Sequence, residues 1–189
     1  MDRVLIVSSS DKGRDFLAGL AKSNANTQIA VAKSGGEARR ALMNADYDIV
    51  VINAPLSDEF GAELAVALTR STLSGILLLV RAGMAEAVAA KAEDFGVFVL
   101  EKPVARQAFD RALRMVSVSG RRLAALKSEN VRLQQKIMEI RLVDRAKCAL
   151  IQYLKMTEQQ AHRYIEKQAM DLRKTRREVA EEILKTYES

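Results

Sequence analysis

Both prolines and all nine glycines of this 189-residue chain lie at or before Gly120, so the last 69 residues contain no backbone breaker of either kind. A stretch of that length without Gly or Pro has no cheap place to turn and is expected to be helical throughout. The first 118 residues read differently, alternating short apolar runs with amphipathic stretches. Strands are expected at "RVLIV" (3–7), "QIAVA" (28–32), "DIVVIN" (48–53), "GILLLV" (75–80) and "VFVL" (97–100), with helical patterns beginning near Asp11, Gly36, Asp58, Met84 and Val104. Strands that are apolar on both faces and separated by helices imply a parallel sheet covered on both sides. Five such units fit an α/β, flavodoxin-like (βα)5 domain, whose functional edge lies at the C-terminal ends of its strands.

Charge draws a boundary in the same place. Residues 1–118 hold 14 Lys/Arg and 14 Asp/Glu, so the whole net charge of +6 belongs to residues 119–189. That asymmetry points the tail toward a polyanion, although basic helix faces also occur without any partner. One Cys (Cys148) and one His (His162) exclude a disulfide framework and leave no metal cage, and no cofactor is expected. Residues 1–9 carry four apolar residues behind one Arg, too few for a signal-peptide core, and no run approaches membrane-spanning length. A cytoplasmic protein with no membrane partner is expected.

The strand ends carry Ser8 and Ser9 after the first strand, Asn53 after the third, Val80 after the fourth and Lys102-Pro103 after the fifth. With "RVLIVSSSD", "DYDIVVINAPL" and "VLEKPV" in these places, residues 1–118 resemble a two-component response-regulator receiver. The resemblance assigns the two Mg²⁺-holding acids to Ser8 and Ser9, the phosphoacceptor Asp to Asn53, the phosphate-reading hydroxyl to Val80 and the lysine of the Lys-Pro loop to Lys102. Only Lys102 keeps its chemistry. Two hydroxyls and an amide give Mg²⁺ no charge to neutralise, and an amide is not the carboxylate nucleophile that an acyl phosphate requires. The resemblance therefore implies a pseudo-receiver with a degenerate site, in which Lys102 hydrogen-bonds to Asn53 or is held by the proline turn. Asp11 and Asp58 are expected to cap the first and third helices.

Past Gly120 a seam begins. Leu123, Leu126, Asn130, Leu133, Ile137 and Ile140 follow the a/d rhythm of a coiled coil over residues 119–143. Asn130, at an a position, would face its own copy in a parallel homodimer; the alternative is a seam packed within one chain. Residues 144–189 then contain two capping boxes, Thr157–Gln160 and Thr175–Glu178, each opening an amphipathic run, so helices are expected over 158–171 and 176–187. Ala146, Ala149, Leu150, Leu154, Ala161, Ile165, Ala169, Leu172, Val179, Ala180 and Ile183 are the expected core of a small three-helix bundle.

This stretch resembles the ANTAR module, the RNA-binding unit of bacterial transcription antiterminators. The likeness rests on Ala146, Lys147 and Leu150, on Thr157, Glu158, Ala161 and Tyr164, on Ala169, Met170, Asp171, Arg173 and Lys174, and on Val179 and Ala180; Cys148 stands where the family usually has Gly. The resemblance implies recognition of paired hairpin loops in nascent mRNA. Unstacked loop bases are read by aromatic faces and amides, for which Tyr164, Gln168 and Gln152 are candidates. Arg145, Lys147, Arg173, Lys174, Arg176 and Arg177 are candidates for phosphate, with salt-dependent affinity. The leading reading is a dimeric transcription antiterminator not controlled by Asp phosphorylation, with a regulatory partner protein as the alternative input. The competing reading is a helical protein-interaction adaptor; DNA binding and enzymatic activity fit less well, since no recognition helix and no nucleophile–base constellation appear.

Overall fold

The computed structural model describes residues 2–22 and 27–187; residue 1 of the first expected domain and residues 188 and 189 of the last lie outside them. Strands β1 (Asp2–Val7), β2 (Thr27–Ala32), β3 (Ile49–Asn53), β4 (Gly75–Arg81) and β5 (Val97–Lys102) form one parallel sheet in the order β2-β1-β3-β4-β5. Helices α1 (Asp11–Ala21), α2 (Gly35–Asn44), α3 (Ala62–Ser71) and α4 (Ala85–Ala92) connect them, and α5 (Arg106–Leu154) follows β5.

The pleat explains why the strand runs are apolar without interruption. Alternate side chains enter opposite layers: Leu5, Val7, Val50, Ile52, Leu78 and Val80 pack with Ala38 of α2, Leu64 and Leu68 of α3 and Val88 of α4. Val4, Ile6, Ile49, Val51, Leu77 and Leu79 pack with Leu17 and Leu20 of α1 and Phe109, Ala112 and Val116 of α5. Each fully buried aliphatic side chain of this kind contributes about 1.5–3 kcal/mol of apolar burial.

Two glycines let α5 sit close to the sheet. A Cβ on Gly75 would stand 2.3 Å from Val116 Cγ1 and 2.5 Å from the Val116 carbonyl oxygen, and one on Gly120 would meet the Gly75 amide nitrogen at 3.2 Å. Gly120 therefore does not interrupt the helix. Here α5 lies against backbone, and the missing side chain makes that approach possible.

The third helix departs from expectation. It starts at Ala62, not near Asp58, because residues 54–61 form a turn: the Ala54–Pro55 peptide is cis, the Leu56 amide donates to Glu59 O at 3.0 Å, and Gly61 takes φ +104°. No side chain caps α3. Asp58 instead accepts from the Gly35 and Gly36 amides at 2.9 Å each, closing the N-terminus of α2 from across the sheet edge. Those bonds hold its carboxyl below the ordinary carboxylate range. At α1 the cap is Ser10, whose hydroxyl accepts from the Gly13 amide at 3.3 Å, while Asp11 lies in the first turn.

By internal packing the chain divides into two compact units, Met1–Ala125 and Leu126–Ser189, with the division inside α5. The second unit contains the end of α5 with α6 (Glu158–Asp171) and α7 (Arg176–Tyr187), whose bounds match the sequence expectation. Its core is Ala146, Ala149, Leu150, Ala161, Ile165, Val179, Ala180, Ile183 and Leu184. Leu154 and Leu172, expected inside, are exposed at helix ends, and Leu184 takes a core place instead. No helix among the described residues is long and apolar enough to cross a membrane.

Candidate functional site

The strand-end edge of the sheet is closed by its own hydrogen bonds. Lys102 Nζ donates to Asn53 Oδ1 at 2.9 Å and to Ala54 O at 2.5 Å. Asn53 Nδ2 donates to Ser8 Oγ at 2.9 Å, and Ser8 Oγ in turn donates to Ser10 O at 3.4 Å. An amide suits the middle of this relay, because it accepts on one side and donates on the other, whereas a carboxylate only accepts. Ser9 Oγ donates to Pro55 O at 3.3 Å, so the loop carbonyl after β3 is also engaged.

The inner part of this edge is covered, while Asn53 and Lys102 stay partly exposed and Ser9 is exposed. Ser8 is fully buried, and a Cβ on Gly13 would lie 2.8 Å from both Asn53 Nδ2 and Ser8 Oγ, so the first turn of α1 rests on the pair. The buried Arg14 guanidinium donates to Ser8 O at 2.7 Å and pairs with Asp11. Val80, fully buried, presents no hydroxyl. Burial, and secondarily the neighbouring Arg81 charge, lower the Lys102 pKa from its ordinary value. Cations and neutral dipoles make up this edge, with Asp11 and Asp58 committed to Arg14 and α2. The donor set does not fit Mg²⁺, which needs several anionic oxygens in octahedral array.

The bundle offers a different surface. Thr157 and Gln160 form a reciprocal capping box at α6 (2.8 and 3.3 Å), and Thr175 and Glu178 do the same at α7 (2.7 and 3.2 Å). Thr175 holds the Glu178 carboxyl below its ordinary pKa. Without glycine, α5 and α6 end on residues forced into the left-handed region, Lys155 (φ +56°) and Arg173 (φ +54°). Both are exposed.

The sequence-derived contact residues fall into three groups. Lys147 is drawn in: its ammonium meets Asp144 at 2.8 Å and Glu158 at 3.1 Å with 17 % of the side chain exposed, and these partners, Asp144 first, raise its pKa. That geometry joins α5 to α6 and leaves Lys147 poorly placed for phosphate. Lys174 pairs with Glu182, Arg176 with Glu166 at 3.4 Å and Arg177 with Glu181 at 2.9 Å, all on the surface. Glu181 accordingly raises the Arg177 pKa. Exposed pairs of this kind are worth about 0–1 kcal/mol and exchange readily for another anion. Arg145, Gln152 and Arg173 are exposed, Tyr164 is 37 % exposed and Gln168 half-buried.

Sequence reasoning missed several exposed groups. Arg163 and Lys167 lie one turn apart on α6, opposite the buried Ala161 and Ile165, and neither makes an ion pair among the described residues. Their i,i+4 spacing opposite the apolar stripe was the available signal. Tyr153 stacks on Tyr187 with centroids 5.4 Å apart and planes 17° from parallel, yet remains 52 % exposed. His162 lies 3.4 Å from Glu166.

The seam residues are uncovered. Leu123, Leu126, Leu133, Ile137 and Ile140 are 48–68 % exposed, and Asn130 is exposed among them.

Residues 131–184 match the ANTAR domain family. The chain is 28% identical over 185 residues to the transcriptional regulatory protein PdtaR of Mycobacterium tuberculosis, covering 97% of this chain and 90% of that protein. The sheet domain superposes on a response regulator receiver domain from Clostridium thermocellum with a TM-score of 0.57 at 18% identity, over 67% of this chain and 99% of that one. The chemotaxis response regulator CheY4 of Vibrio cholerae gives 0.54 at 22% identity, over 61% and 98%. At these identities the structural likeness establishes the receiver fold.

Proposed function

We propose that this chain, in which a match to the ANTAR domain family follows a receiver-fold domain, is an RNA-binding transcription antiterminator of the cytoplasm that dimerises through α5 and acts without phosphorylation. The ANTAR match over residues 131–184, which falls on the seam's second half and all nine core residues of the bundle, carries this reading. Two bundles joined by the seam grip paired hairpin loops in a nascent transcript and disfavour a terminator hairpin. Joining them raises affinity through effective concentration, with no new contact needed. The chain's role is to bind, and no catalytic step is assigned to it.

Within each bundle, Arg145, Arg173, Lys174, Arg176 and Arg177, with Arg163 and Lys167, hold phosphates, and the outer ion pairs open to do so. Tyr164, Gln168 and Gln152 meet bases. Lys147 positions α6 against α5. A gel shift with a tandem-hairpin RNA tests the reading: binding should fall by orders of magnitude between about 50 and 200 mM salt if several phosphates are engaged, and scrambled loops should bind weakly. Equal affinity for scrambled loops, or no salt-sensitive binding, would favour the adaptor reading.

The relay from Lys102 through Asn53 to Ser8 supports the phosphorylation-independent part. Incubation with acetyl phosphate and Mg²⁺ should leave the intact mass unchanged, and so should the same treatment of Asn53→Asp, which restores a nucleophile but neither metal-binding acid. A stoichiometric phosphate on the natural chain would sink this part.

A further inference from the structure

The flanks of the seam suggest what sits on it. With a positions at Leu123, Asn130 and Ile137 and d positions at Leu126, Leu133 and Ile140, the e positions are Lys127, Gln134 and Arg141 and the g positions Arg122, Glu129 and Lys136. In a parallel pair each g residue faces the e residue five places on in the other helix. Two copies of this chain would therefore set Arg122 against Lys127 and Lys136 against Arg141, each twice by symmetry. The remaining layer sets Glu129 against Gln134, and Glu129 is already engaged by its own Arg132 at 2.8 Å. No interhelical pair of opposite sign remains.

Arg122, Lys127, Lys136 and Arg141 are all exposed, and none has an ion-pair or hydrogen-bond partner among the described residues. They border a stripe whose apolar residues are about half exposed or more. A helix with acids at the facing positions converts the four repulsions into four attractions while covering the same a/d surface.

We propose that this face of α5 docks an acidic amphipathic helix of a partner protein, and that pairing with a second copy is its weaker alternative state. The proposal deepens the antiterminator reading, on which its regulatory meaning rests: occupancy of the seam by the partner withholds the dimer. Control then passes to the availability of an acidic helix.

The test uses the full chain and two synthetic three-heptad helices with Leu/Ile at a and d and Asn at the central a. One carries Glu at the four e and g positions that face Arg122, Lys127, Lys136 and Arg141 and Gln at the rest, the other Gln at all of them. At 50 mM NaCl the Glu peptide should bind on the order of tenfold more tightly than the Gln peptide, the product of four exposed pairs of ordinary strength, and the gap should close at 500 mM. Self-association, followed by sedimentation, should show the opposite sign and tighten with salt. The fourfold variant R122E/K127E/K136E/R141E, altered only at exposed positions, should lose its preference for the Glu peptide. Equal affinity for the two peptides overturns the proposal, as does self-association that weakens with salt. If the peptides are indistinguishable and the fourfold variant loses tandem-hairpin RNA, those cations are phosphate contacts and the docking assignment falls. Loss of RNA recognition by the natural chain with peptide docking intact would instead remove the antiterminator reading alone.

Discussion

The sheet unit and the bundle solve the problem of close packing by opposite means. In the sheet unit two apolar layers enclose the central strands, and close approach is made at positions where no Cβ exists, as at Gly75 against Val116 and Gly13 against Asn53 and Ser8. The bundle has nine buried residues among the described ones and no glycine; reciprocal threonine caps close the starts of α6 and α7, and Lys147 bridges α5 to α6. A deep interior lets a domain keep its shape while the groups at its edge change, which is how an edge of hydroxyls and an amide persists on a receiver fold. A shallow interior leaves little reserve, so function there is confined to side chains that stability does not need.

That contrast is open to attack, beginning where the effect should be greatest. Gly75→Ala places a methyl into Val116 and should destabilise the sheet unit by about 1–3 kcal/mol or more, read as a lowered first transition in thermal unfolding with the bundle's helical signal unmoved. If the loss is negligible, α5 is not packed against β4 as closely as 2.3 Å implies. Thr157→Ala removes the α6 cap and should cost about 1 kcal/mol, read as earlier loss of the bundle's helical signal on heating. Gly19→Ala sharpens the comparison by reversing sign: a Cβ there meets nothing within 4 Å, so a helix-interior alanine should stabilise the sheet unit by about 0.5–1 kcal/mol.

The smallest effects are the pH slopes, which should run in opposite windows. Lys102 has a folded pKa below its ordinary 10.5, so its charged form is disfavoured by folding. That penalty is complete below the depressed value and fades as pH rises toward 10.5. The natural chain should gain melting temperature over that alkaline interval relative to Lys102→Met. Glu178 has a folded pKa below its ordinary 4.5; its contribution is present above 4.5 and is lost as pH falls through the depressed value. Glu178→Gln should flatten the acid limb of the bundle's melting curve. Parallel slopes in both variants would mean that the two units do not titrate independently.

Local grammar was enough for the strands and most helices, because each is specified by its own apolar period and cap. The bounds of α6 and α7 followed from Thr157 and Thr175, whose partners lie three residues away. Asp58 shows where such reading stops. Its carboxylate serves amides 22 and 23 positions earlier, a pairing that exists only after β2 and β3 have been placed on either side of β1. The same distinction separates Lys147 from the other cations: spacing put it on a helix, but Glu158, eleven residues on, decides that it is a bridge. Exposure of Arg163 and Lys167 likewise depends on which face of α6 the other helices cover. The relay at the sheet edge was half legible. Its residue types announced lost chemistry, whereas the direction of each bond, and the turn of α1 lying on it, required three strands to converge.

Lys155 and Arg173 finish their helices in a backbone region that disfavours side-chain-bearing residues by about 1–2 kcal/mol each. Anyone engineering a heat-tolerant version would place glycine at both corners and gain durability. On the antiterminator reading, that same redesign strips two solvent-facing cations from a surface meant for a transcript, so toughness and grip pull against each other at these two joints.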